Sequence, residues 1–387
     1  MRIPNHVIGL ALVAAFLSFL LSGCAGADPS QSGVGNGVTP IYGDTLAEYD
    51  GRSATPGSVS NQPDLANLNE PGGRDGSGDT GGLSGGDPEF SLGDFPLTVI
   101  NCGFTTTFLA PPQRVVAIKS PPVELMLALG VGDRLVAVAG LDGPVPNWLD
   151  ATAAKNSVVT SPMATGVPGT EAVLALNPDL VFAGWESNLT PAGAGSRELF
   201  AEIGISTYVS PAACRSDRNA DALTFEDIWA EIAQAGAIFS VPTAAHRLIL
   251  SQQEQLNSRT PDQRELTALW WSSAKDIPYV GAGLGAPQLI MSAVGVENIA
   301  QGVADTWTSL SWEQIIAADP DVIILVDAEW NTAASKREYL ENNPATAQLT
   351  AVREGRYLTV PFPASEAGVR TVSAVLDLAD QLDDVQW

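Results

Sequence analysis

The sequence predicts an α/β protein of two similar parallel-sheet lobes joined by one long helix. Three observations carry that expectation. Short apolar runs alternate with helical patterns after residue 97, the alternation that builds parallel sheets. A helix-to-strand unit occurs twice, once in each half of that region, which implies duplicated lobes. Between the copies lies a 16-residue helical pattern, Thr243–Ser258. At ~1.5 Å per residue it is about 24 Å long, enough to bridge two lobes.

In chain order, residues 1–23 read as a leader. Val7–Leu21 is apolar or small throughout, shorter than the ~20 residues that span a bilayer, and suits a signal-peptide core. It runs into Leu21-Ser22-Gly23-Cys24, which resembles a lipobox, so Cys24 is the expected lipidation site and the chain is expected on the extracytoplasmic face of a cell membrane, held by lipid. Residues 24–96 are the expected tether. From Ala25 to Pro96 there are 16 Gly, 7 Pro, no Trp, and 11 acids against two Arg. Such a stretch cannot bury enough apolar surface to offset its ordering entropy.

The first lobe is expected over 97–240, with strands at Val115–Ile118, Leu135–Ala139, Leu180–Ala183 and Ser206–Val209. Helices are expected at Pro122–Leu129, where Pro is pre-organised for a first turn, and at Glu171–Leu176. Thr224 with Asp227 three residues on is a cap for a further helix. The bridge is expected within 241–260, with Thr243 as its cap. The second lobe is expected over 261–387, with strands at Leu269–Trp271, Val322–Val326 and Tyr357–Val360 and a last helix from Glu366 to Leu382.

The repeat is compact. Glu171 through Asn177-Pro178-Asp179 and Glu313 through Asp319-Pro320-Asp321 each lead into an apolar strand, with seven residues from Glu to Pro in both. Proline stops each helix and turns the chain.

Composition excludes several classes. There are 44 acids against 19 Lys and Arg, a net charge of −25, so no basic patch exists for nucleic acid. The chain has two His, and His6 lies in the leader, which leaves His246 in the helical bridge. Metal sites and triad hydrolases draw on well-placed imidazoles, so a histidine-dependent enzyme is not expected; the expectation for the chain is a binder with no metal, no cofactor and no enzyme activity. Cys102 and Cys214 are expected to pair in an oxidising compartment rather than stand as two separate buried thiols.

Several segments together resemble a known family. Arg114-Val-Val-Ala-Ile, the run Glu124-Leu-Met-Leu-Ala-Leu-Gly130 ending at Arg134, the two Glu…Pro-Asp units, and Pro344–Arg356 before the final strand are similar to the iron-siderophore, haem and cobalamin periplasmic-binding proteins. The resemblance covers 97–382. It implies a helical-backbone periplasmic-binding fold that holds a metal chelate or planar organic anion between its lobes. The partners it implies are the permease and ATPase subunits of an ABC importer, with a monomeric carrier. One Glu per lobe, Glu171 and Glu313, would dock on the permease. A narrower likeness, through Asn101-Cys102-Gly103, Leu141–Pro146, Ala183–Ser187, Tyr208–Cys214 and Asp305–Ser309, is to carriers of a deazaflavin coenzyme precursor.

Ligands of open α/β sheets sit beyond the carboxyl ends of strands. That rule selects Lys119 and Ser120 after the first strand, Asp142 and Trp148 after the second, Trp185 and Glu186 after the third, and Arg215 after the fourth. In the second lobe it selects Trp271, Ser272, Trp307, Asp327, Trp330 and Glu366. The five tryptophans point to a ligand with a broad flat or apolar surface. Lys119, Arg215 and Arg370 are candidate partners for ligand carboxylate or phosphate, or for Glu186 and Asp327. A carbohydrate-active enzyme built on Glu186 and Asp327 with tryptophan platforms is the alternative from another class.

Overall fold

A computed structural model describes residues 95–214 and 221–387. The leader, Cys24, the tether to residue 94 and Arg215 lie outside the described residues.

The first lobe opens with an antiparallel hairpin that the sequence analysis did not anticipate. β1 (Leu97–Asn101) pairs with β2 (Phe104–Phe108) across a two-residue turn. Both turn residues, Cys102 and Gly103, have positive φ, 49° and 70°, the left-handed pair that matches the twist of a tight hairpin. β2 reads Phe-Thr-Thr-Thr-Phe, with no apolar run to betray it.

β3 (Val115–Ile118), β4 (Leu135–Ala139), β5 (Leu180–Ala183) and β6 (Ser206–Val209) form a parallel sheet in the order β4-β3-β5-β6. All four match the expected bounds. Alternate residues feed two cores, because helices cover both faces. Phe182 and Tyr208 pack with Ile228 and Ile232 on one side. Val116, Ile118 and Val181 pack with Phe200 on the other. The hairpin covers β6: the Asn101 amide donates to Val209 O at 2.8 Å and accepts from Val209 N at 2.8 Å, as a neighbouring strand would. A disulfide joins Cys102 to Cys214 just beyond β6.

The second lobe contains β7 (Thr267–Ser273), β8 (Tyr279–Gly281), β9 (Glu297–Asn298), β10 (Trp307–Ser309), β11 (Val322–Asp327) and β12 (Tyr357–Pro361). Their order is β10-β8-β7-β11-β12, with β9 also on β7. β7, β11 and β12 run parallel, whereas β8 is antiparallel to β7 and β10. The sheet is therefore mixed at one edge rather than parallel throughout. Five residues separate β7 from β8, too few for a parallel crossover.

Both halves of the repeat perform the same structural task. Asp319 caps its helix with φ of 40°, and Asn177, three residues past the end of its own, turns the chain with φ of 46°. The aspartate after each proline then ties down the start of a neighbouring strand. Asp179 accepts from Gln113 N and Arg114 N at 2.7 and 2.8 Å, ahead of β3. Asp321 accepts from Thr267 N at 2.8 Å, the first residue of β7.

Two consecutive helices join the lobes. Phe225–Ile238 begins at a capping box between Thr224 and Asp227. The bridge is Pro242–Asn257, entered through Val241, so Thr243 stands inside the first turn rather than at the cap. Proline supplies the pre-set φ that a side-chain cap would otherwise help to select. Gly236 lets the helices meet: a Cβ there would stand 2.4 Å from the Ala245 Cβ. Leu256 of the bridge packs against the cores of both lobes. Gln252, buried mid-bridge, donates to Val369 O at 3.1 Å. The last helix, Thr371–Asp384, starts later than expected, because a short turn at Phe362–Ser365 and extended backbone at Glu366 precede it.

Candidate functional site

The carboxyl ends of β3, β4, β5 and β12 converge on one polar cluster between the lobes. Lys119, directly after β3, has φ 82° and ψ 164°, a region almost reserved for glycine and costing of order 1–3 kcal/mol. The conformation delivers its ammonium to two neighbours. Nζ lies 2.6 Å from Asp142 Oδ1, after β4, and 3.8 Å from the centre of the Trp185 ring, after β5. Gly184 makes room: a Cβ there would stand 2.6 Å from the Lys119 Cβ. Ser120, fully buried, accepts from Asp142 N at 3.0 Å and fixes the loop.

The second lobe closes the cluster. Trp185 Nε1 donates to Glu366 Oε2 at 2.6 Å, a hydrogen bond across the cleft. Beside it Arg370 grips Glu124 with Nε to Oε2 at 2.5 Å and Nη2 to Oε1 at 2.6 Å, and also donates to Pro144 O. Glu124 belongs to the helix Ser120–Ala128, so this buried pair too links the lobes.

Burial raises the proton affinity of the three carboxylates in the cluster, against the pull of its two cations. Burial, opposed by Arg370, pushes Glu124 up to about 7. Burial, reinforced by the Asp142 charge, pushes Glu366 up to about 8. Asp142 is also raised by burial, against Lys119. Outside the cluster, burial takes Glu231 to about 7. These groups hold protons more tightly folded than unfolded, so they add stability below their ordinary range near 4.5 and lose it as pH rises through 7 and 8. Thermal unfolding is therefore expected at least several degrees higher at pH 5 than at pH 8.5, with Glu231→Gln and Glu366→Gln each flattening the slope. A melting temperature that rises with pH across that range would contradict this electrostatic account.

The remaining sequence-predicted residues fall into separate groups. Trp148 and Trp330 are exposed, 46% and 61%, on loops after β4 and β11. Trp330 meets Phe362 edge-on at 5.8 Å. Trp307 is partly buried, stacks on Tyr279 at 5.8 Å and packs against the second-lobe core. Asp327 Oδ1 accepts from Ala333 N at 2.7 Å at the start of the helix Ala333–Asn342. Glu186 opens the turn after Trp185, and its charge acts on Arg197.

Two expectations need correction. Trp271 and Ser272 lie within the strand rather than past its end, since β7 continues to Ser273. Trp270 and Trp271 are fully buried on opposite faces, as a doubly covered sheet requires. Arg370 is a buried structural partner of Glu124, and Lys119 is matched to Asp142, so neither pairs with Glu186 or Asp327. Sequence reasoning also missed Glu124 as a site residue. Its signal was available: a lone acid in an apolar helix buried from Ser120 to Leu127 must have a partner.

Glu171 and Glu313 are exposed in the first turns of the helices Thr170–Leu174 and Trp312–Ala318. Backbone hydrogen bonding at its helix start holds the Glu313 carboxyl below its ordinary range. Among the described residues no group of three or more His, Cys, Asp or Glu side chains could hold a metal ion.

Two α/β lobes on a helical bridge, with strand ends facing a shared polar cluster, define a two-lobed binding protein. The periplasmic binding protein family profile matches residues 115–364, and the chain belongs to that family. It is 23% identical over 297 residues to the uncharacterized ABC transporter substrate-binding lipoprotein YvrC of Bacillus subtilis, covering 74% of this chain and 86% of that one. It is 24% identical over 288 residues to the vitamin B12-binding protein of Vibrio parahaemolyticus, covering 71% and 91%. Among solved structures, the ABC-type Fe3+-hydroxamate transport system protein from Saccharomonospora viridis matches with a TM-score of 0.63 at 24% identity, over 74% of this chain and 99% of that one.

Proposed function

We propose that the protein is the lipid-anchored, extracytoplasmic binding component of an ABC importer, capturing a ferric siderophore, haem or cobalamin between its lobes without chemical turnover. The observation that carries this is the Trp185–Glu366 hydrogen bond, which unites the strand ends of both lobes at one site. Aromatic surface at Trp148 and Trp330 suits a broad ligand face. The names of the matched relatives point the same way. In this reading residues 1–23 are removed, Cys24 carries lipid, and 24–96 tether a body of two lobes, 97–240 and 261–387, joined through 241–260. The lipoprotein designation of YvrC supports the anchor. No helix of the described residues is long and apolar enough to cross a membrane.

Native mass spectrometry of the purified chain is expected to reveal a co-purified metal chelate or corrinoid. Repeated preparations free of any such ligand, together with no binding of ferric hydroxamate, haemin or cobalamin, would reject the ligand class. In the same reading Glu171 and Glu313, one exposed acid per lobe, each meet a cation on the permease. The double variant Glu171→Ala, Glu313→Ala is expected to lower uptake roughly tenfold or more, since charge-assisted contacts contribute about 1.5–3 kcal/mol each. Ligand affinity should stay within about twofold, because both side chains are exposed. Lost affinity with normal coupling would remove them from the docking surface.

A further inference from the structure

One atom of the interlobe cluster is left over. Asp142 is nine-tenths buried, with 10% of its side chain exposed, and its Oδ1 is held by Lys119. Its Oδ2 is buried without a hydrogen-bond partner. A buried carboxylate oxygen left bare is costly, and such groups in native proteins call for an explanation. The loop that carries Asp142 faces the second lobe: a Cβ on Gly143 would stand 3.3 Å from Pro363 Cγ. The bare oxygen thus lies where the two lobes meet, next to the Lys119 ammonium and the Trp185 ring, at the strand ends where the carrier reading puts a captured ligand.

Charge matching decides what that oxygen can accept. Each cation of the cluster already has its own carboxylate, Lys119 with Asp142 and Arg370 with Glu124. Glu366 adds a third acid, bonded to Trp185. A ligand carboxylate entering here would meet no unmatched cation among the described residues of the cluster, and would face a desolvated acceptor. A ligand N–H or ammonium would find the acceptor waiting.

Resting on the carrier reading above, we infer that Asp142 is a specificity-determining residue whose Oδ2 receives a hydrogen-bond donor of the ligand. The cleft then selects a neutral or cationic, donor-bearing chelate over a carboxylate-bearing one. Amide-fringed corrinoids and ferric hydroxamates with a pendant ammonium are in the favoured class. Porphyrins with free propionates are in the disfavoured one.

The test uses the full chain in detergent, with binding measured by equilibrium dialysis. The probes are cyanocobalamin, ferrioxamine B with its free ammonium, the same chelate N-acetylated, and haemin. At least one of the first two is expected to bind roughly tenfold or more tightly than haemin, the discrimination that about 1.4 kcal/mol provides. Asp142→Asn replaces the acceptor with an amide that can turn its N–H outward. It is expected to shrink that ratio by roughly tenfold, by weakening the donor-bearing ligand and leaving haemin unchanged or tighter. The ratio of two affinities on one preparation does not depend on how much of the variant is folded.

If ferrioxamine B is the ligand bound, acetylation should weaken it in the native chain and matter less in the variant. Haemin binding as tightly as the donor-bearing probes would overturn the assignment and leave the carrier reading standing. An equal loss for every probe in Asp142→Asn would mark a purely structural aspartate and overturn it too. No binding by any of the four would sink the ligand class of the carrier reading, and the assignment with it.

Discussion

Changing both Cys102 and Cys214 to Ser is expected to cost about 2–5 kcal/mol of stability, the range for a native disulfide closing a loop of this size. The two cysteines are 112 residues apart, so their bond removes a large share of unfolded-state freedom. It has a local effect as well. The β1–β2 hairpin would then be held on β6 by Asn101, by Arg197, whose Nη1 donates to Asn101 O at 2.7 Å, and by the Thr106 bond to Thr207 O at 3.3 Å. Chemical denaturation of the double variant measures the loss, and hydrogen exchange at Val209 locates it. Faster exchange there, with the second lobe unchanged, is the expected pattern. Unaltered denaturation midpoints would show that the polar network alone secures the hairpin.

Arg370→Ala is expected to be the most damaging single substitution, at about 3–5 kcal/mol near pH 8.5, because it leaves Glu124 buried without a counter-charge. The loss should shrink at pH 5.5. Glu124 already titrates near 7 with the guanidinium in place, and without it the carboxyl protonates more readily still. The double variant Glu124→Leu, Arg370→Leu is expected to recover part of the stability, since apolar pairs of similar volume often replace buried ion pairs without penalty. Denaturant unfolding at the two pH values checks both statements. A cost independent of pH would mean that Arg370 contributes by packing and by its bond to Pro144 rather than by neutralising Glu124.

The four strands of the first-lobe parallel sheet were legible because each is a four- or five-residue run, apolar throughout in β3, β4 and β5, bounded by turn-forming or charged residues, whereas the β1–β2 hairpin, with polar residues between its apolar ones, was not. The duplicated Pro-Asp unit was legible for a similar reason: a proline and an aspartate at fixed spacing have one mechanical use, which Asp179 and Asp321 share. Short strands were not legible. β8, β9 and β10 have two or three residues each and are defined by their neighbours rather than by their own pattern.

The site was half legible. Sequence placed Lys119, Ser120, Asp142, Trp185 and Glu366 at strand ends, and these do meet. The partnerships were not readable, because Glu124 and Arg370 are 246 residues apart and Trp185 and Glu366 are 181 apart. Trp271 misled because an apolar run ending in Trp-Trp gave no sign that the strand goes on to Ser273. Tertiary packing, not local preference, set that boundary.

The Glu124–Arg370 pair also has a bearing on synthesis. The aspartate stitches at Asp179 and Asp321 reach back 66 and 54 residues, so each half can knit itself soon after it is made. The arginine's partner is already waiting in the earliest helix of the first lobe, and the lock between them can shut only once residue 370 has been made. A nascent polypeptide cut short before residue 370 would carry Glu124 without the guanidinium that matches it and without this lock between its halves, an unfinished state open to quality-control proteases.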